Sequence, residues 1–98
     1  MPYIDRNRRK QVGFAMSHLI EQLKQMDNLS AGDLNYMITK IMEHFIKMKG
    51  KRYANYNELV GMLECCKMEL YRREIAPYEN AKMAENGDYN DDDLGYGE

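Results

Sequence analysis

Apolar residues recur every three or four positions along most of the chain, which is the spacing of one helical face. No stretch alternates with period two for long enough to form a strand. Val12, Met16, Leu19, Ile20 and Leu23 predict a first helix over about residues 5–26, with Asp5 as its cap. Leu34, Met37, Ile38, Ile41, Met42 and Phe45 predict a second. Its start is marked by Ser30 as N-cap, Asp33 three residues on, and Leu29 with Leu34 as the ends of a hydrophobic staple. Lys47 and Lys49 suit its last turn, and Gly50 suits the position just beyond it. Asn55 and Glu58 have capping-box spacing and open a third helix, with Leu59, Val60, Leu63, Cys66, Leu70 and Tyr71 as its core stripe. Pro77 removes a donor and crowds the carbonyl four residues back, so an interruption is expected between Glu74 and Pro77. The helix kinks there, or a short fourth helix restarts on Pro77 and stops at Asn86-Gly87. The fold class is all-α: three long helices plus a short or kinked fourth, packed as a helical bundle over residues 1–87.

Composition changes this picture at one place. Asp88 to Glu98 holds five acidic residues, no basic ones and two glycines, which predicts a mobile acidic tail. Charge is also split. Residues 1–52 carry ten Lys/Arg against five Asp/Glu, and residues 53–98 carry four against eleven, so net +5 faces net −7. Such a split suits head-to-tail self-association, or a basic surface with the acidic tail folded near it, and one local basic cluster neutralises too few phosphates for strong nucleic-acid binding. The crowding of Arg6, Arg8, Arg9 and Lys10 opposes the first helix's dipole, so its early turns are expected to fray or to take an anionic partner. No apolar run approaches the ~20 residues of a membrane span, and the start of the sequence does not read as a signal peptide. A cytoplasmic protein with reduced thiols is expected.

Candidate chemistry is sparse. Neighbours on a helix point about 100° apart, so Cys65 and Cys66 do not form a metal knuckle, and buried helix positions are the expectation for both. His18, with Glu21 three residues on as a helix-surface pair, and His44 have no accompanying catalytic motif and read as solvent-edge histidines, so no catalytic residue, metal or cofactor is expected. The nine methionines fit core packing. More specific is a set of tyrosines, arginines and asparagines at the predicted helix ends: Asn35 and Tyr36; Arg52, Tyr53, Tyr56 and Asn57; Tyr71, Arg72 and Arg73. Tyrosine rings stack on bases, guanidinium groups fork onto phosphate, and amides read base edges.

These residues also carry a resemblance. The strings Gly32-Asp33-Leu34-Asn35-Tyr36-x-Ile38-Thr39, Tyr53-Ala54-x-Tyr56-Asn57-Glu58-x-Val60-Gly61-x-Leu63-Glu64, Glu69-Leu70-Tyr71-Arg72-Arg73-x-x-Ala76-Pro77-Tyr78-Glu79 and Glu85-Asn86-Gly87-Asp88 resemble a family of small proteins of tailed phages and prophages. The resemblance implies a non-enzymatic viral protein that binds a component of the host cell. Together with the residue types it gives the expected function: a homo-oligomer that sequesters a small anionic, nucleotide-like host-defence signal. An inhibitor of a host protein acting through its acidic surface or tail is the alternative, and an accessory of phage replication or assembly is a second. Self-association is expected from size, since a short chain with an apolar stripe on every helix gains most by pairing.

Overall fold

The computed structural model describes residues 2–91, and every regular element among them is helical. Helix α1 runs Arg6–Lys24 and α2 runs Ala31–Lys49. Helix α3 comprises an α-helical stretch Tyr53–Leu70, a π-helical turn Tyr71–Ile75 and a second α-helical stretch Ala76–Asn86. The fold divides into two units between Met62 and Leu63. The first holds α1, α2 and the opening turns of α3; the second holds the rest of α3, including the π turn.

Local chemistry explains the boundaries. Asp5 accepts the Asn7 N–H at 2.8 Å, and Arg9 Nε donates to the Ile4 carbonyl at 2.7 Å. The basic first turn is therefore tied down within the chain. At α2 the box is complete: Ser30 Oγ accepts the Asp33 N–H at 3.2 Å, and Asp33 Oδ2 accepts the Ser30 N–H at 2.9 Å. Two otherwise orphaned donors are satisfied reciprocally. Ser30→Ala is expected to lower stability by about 1 kcal/mol, seen as a lower urea midpoint at fixed protein concentration. Gly50 ends α2 at φ 114°, a backbone region that disfavours any Cβ, and its N–H donates to the Ile46 carbonyl at 2.7 Å.

Two boundaries depart from expectation. Asn55 does not cap α3, which starts two residues earlier. The Asn55 and Tyr56 N–H groups both donate to the Arg52 carbonyl, at 3.0 and 3.1 Å, and the Asn55 amide instead donates to the Gly50 carbonyl at 2.9 Å. The asparagine therefore closes the turn between helices. The second departure is at Pro77. No separate fourth helix forms, because the chain stays helical through Leu70, Ile75 and Ala76. The turn before the proline widens instead: the Ala76 N–H donates to the Tyr71 carbonyl, five residues back. That wider turn takes up the crowding a proline ring imposes on an α-helix. Gly87, at φ 92°, then ends α3, and its N–H donates to the Met83 carbonyl at 2.8 Å.

The largest correction concerns the core. Among the described residues one hydrophobic side chain, Ile46, is buried. Leu19, Leu23, Met37, Met42, Phe45, Leu59 and Leu63 are half-buried. Their expected stripe partners Val12, Met16, Ile20, Leu34, Ile38, Ile41, Val60, Leu70 and Tyr71 are exposed. Cys65 is half-buried and Cys66 exposed, and neither is in a disulfide. The faces are those the periodicity marks, but one chain does not cover them. Within the first unit no Cα of α1 comes within 8 Å of a Cα of α2, so these two helices do not pack as bundle neighbours. Among the described residues no helix is long and apolar enough to cross a membrane.

Of the expected tail, residues 88–91 form a hydrogen-bonded turn. Asp91 Oδ2 accepts the Asp88 N–H at 2.9 Å, and Asp88 Oδ1 accepts the Asn90 N–H at 3.1 Å. The remainder, residues 92–98, lies outside the described residues.

Candidate functional site

The turn from α2 into α3 concentrates unlike chemistry in few residues. Lys47, Lys49, Lys51 and Arg52 fall within six positions, and no carboxylate occurs from residue 44 to residue 57. None of the ion pairs among the described residues involves these four cations. Arg52 stands at the N-cap position of α3, and an arginine side chain has no acceptor with which to cap a first turn. Tyr53, 84% exposed, and Tyr56 follow immediately, with Asn57 beside them. The Asn55–Gly50 bond holds this turn in shape. The result is a positively charged helix start with two exposed aromatic faces.

The other expected residues lie elsewhere. Asn35 and Tyr36 sit near the opposite end of α2, where Asn35 Oδ1 accepts from Thr39 Oγ1 at 3.3 Å and Lys40 Nζ lies 5.9 Å from the Tyr36 ring centre. Tyr36 and Gly50 are fourteen residues apart on one helix, about 21 Å of rise, so a single chain does not join them in one pocket. Tyr71, Arg72 and Arg73 belong to the π turn of the second unit. Glu69 pairs with both arginines, at 2.6 Å to Arg72 and 3.3 Å to Arg73. These guanidinium groups already face a carboxylate, so an incoming anion would compete for them.

Tyr71 has a partner of its own. Its hydroxyl donates to Glu79 Oε1 at 3.0 Å, a bond that spans the π turn. That bond, with the Glu79 charge behind it, raises the Tyr71 pKa above the ordinary value near 10. Because the folded-state value is raised, the bond's contribution is complete below about pH 10 and fades as pH climbs through the Tyr71 titration. We expect the difference in tyrosinate absorbance between wild type and Tyr71→Phe to rise above pH 10. Glu79→Gln should bring that rise back toward the ordinary range.

Among the described residues no group of three or more His, Cys, Asp or Glu side chains gathers where a metal ion could be held. An unexpected surface lies on α1. Lys10, Gly13, Phe14, Ser17, His18 and Glu21 line an open groove of about 430 Å³ along one side of that helix. Phe14 is 84% exposed there. Periodicity does not mark this face, because Phe14 lies opposite the Val12–Leu23 stripe that defines the helix's apolar side. A lone large aromatic on the polar side was the available signal.

The family is decided by a family-model match over residues 1–89. The chain belongs to the family described as Domain of unknown function (DUF6899). The DUF6899 match takes in all three helices, the whole α2–α3 turn and the π turn, so every candidate site residue lies inside the family domain. No curated protein and no solved structure matches the chain.

Proposed function

We propose that this protein is a non-enzymatic binding module that self-assembles and takes up a small anionic, nucleotide-like ligand. The observation that supports the reading best is the α2–α3 turn. Arg52 and Lys51 supply unpaired positive charge, the α3 start adds its dipole, and Tyr53 and Tyr56 offer exposed rings. In the proposed mode Arg52 forks onto phosphate, the first-turn N–H groups of α3 add donors, and a base or ribose ring lies on tyrosine. Asn57 reads a polar edge. Asn35, Tyr36, Tyr71, Arg72 and Arg73 take part only as far as assembly brings them to this turn. On the resemblance to tailed-phage proteins, the ligand is a host signalling nucleotide, and sequestration is the activity.

Titration calorimetry against cyclic dinucleotides, cyclic trinucleotides and ADP-ribose isomers tests this. One class is expected to bind and to be recovered intact. Arg52→Ala should weaken it by about tenfold or more, the loss of a charge-assisted hydrogen bond. Tyr53→Ala should weaken it comparably. Flat isotherms across the panel remove the reading, and recovery of a cleaved nucleotide makes the protein a hydrolase.

A further inference from the structure

The α1 groove has a symmetry that one chain does not use. Its six lining residues fall into three pairs about the point midway between Ala15 and Met16: Lys10 with Glu21, Gly13 with His18, and Phe14 with Ser17. Two copies of α1 laid antiparallel about a two-fold axis through that point would bring each residue opposite its pair. We infer that α1 is a self-complementary dimerisation helix, pairing antiparallel with α1 of a second copy through this face.

The pairing matches charge to charge and large to small. Lys10 meets the partner's Glu21 at both ends of the contact, where it joins Lys24, which holds Glu21 at 3.1 Å in an exposed pair within the single chain. Phe14 meets the partner's Ser17 and lies beside Gly13, where a side chain would meet only open space. A helix showing Gly and Ser admits an aromatic ring from a facing helix, and the ring loses the water that now surrounds it. A parallel pairing would instead set Lys10 beside Lys10 and Glu21 beside Glu21. A different protein as occupant would not need a face whose two halves complement each other. The charges mark the second copy as the occupant, and they fix its direction.

This inference rests on self-assembly in the proposed function, and it adds the interface and the orientation. It also leaves the Val12–Leu23 stripe of α1 free for other contacts in the assembly.

Sedimentation equilibrium of the full chain at low salt tests it, with circular dichroism reporting helix content. Phe14 is exposed, so Phe14→Ala should leave helix content unchanged and weaken the dimer about 100-fold, two rings being lost per pair. Lys10→Glu and Glu21→Lys should each weaken it about tenfold by placing like charges together, and the double swap should recover wild-type affinity to within about threefold. Weakening by each single change without recovery in the double overturns the antiparallel register. An oligomer indifferent to all four variants overturns the α1 pairing and leaves self-assembly standing through another face. A wild-type chain that stays monomeric overturns both.

Discussion

Ile41→Glu is expected to break the contact that covers the α2 stripe and to leave no assembly larger than the α1-paired dimer. Ile41 lies in the middle of the α2 stripe and is 60% exposed in the single chain. For a protein that works alone, a polar substitution at such a site changes stability by less than about 0.5 kcal/mol. If a second copy covers the stripe, the same change places an unpaired carboxylate in an apolar contact. That costs several kcal/mol, enough to move a micromolar association out of reach. Ile38 and Met48 share this exposed side of α2, so a neighbouring change should act in the same direction. Light scattering on the eluting peak reads the result. A variant mass below that of wild type, down to the α1-paired dimer of two 11.6 kDa chains, supports a covered stripe. An unchanged mass places the subunit contact elsewhere.

The second large effect is at Ile46. It is the buried hydrophobic residue of the described chain, 7% exposed, one turn before the glycine that ends α2. Ile46→Asp puts a carboxylate where neither water nor a partner reaches it well, at a cost of several kcal/mol. Domains of this size hold only about 5–15 kcal/mol in total. We expect the variant to lose most of its helical circular dichroism at 25 °C. Ile46→Val, which removes one methylene, should cost about 1 kcal/mol and keep the fold. A stable, fully helical Ile46→Asp protein would show that this residue is not what anchors α2.

Much of the fold was legible because its determinants are local. Ser30 and Asp33 specify the start of α2 through bonds three residues apart, and Gly50 and Gly87 specify ends that need positive φ. The start of α3 is ambiguous in the sequence because asparagine serves two purposes. Its amide caps a following helix or closes a preceding turn, and Asn55 does the second. A proline in a helical pattern reads as an interruption because the lost donor and the crowded carbonyl are visible in the sequence, whereas the option of widening one turn by a residue is not. The core departs from the sequence pattern for a non-local reason. Periodicity tells which face of a helix is apolar but not whether its own chain or another copy covers it, so Val12, Ile41 and Val60 fit the stripe and remain exposed. The same limit hid the α1 groove, whose meaning lies in the relation between Phe14 and a serine three residues on. At the candidate site, the types Arg52, Tyr53, Tyr56 and Asn57 were legible from their spacing. Their separation from Asn35 and Tyr36 by most of α2 follows from helix length, and it emerges only once α2 is seen to be unbroken.

Sedimentation velocity of the wild-type chain from low to high micromolar concentration tests the central claim most directly, that these apolar helix faces are made for one another. A defined species at a multiple of 11.6 kDa, dissociating on dilution together with loss of helix stability, is the predicted result. A single 11.6 kDa species at every concentration, with a sharp and concentration-independent melt, would contradict it.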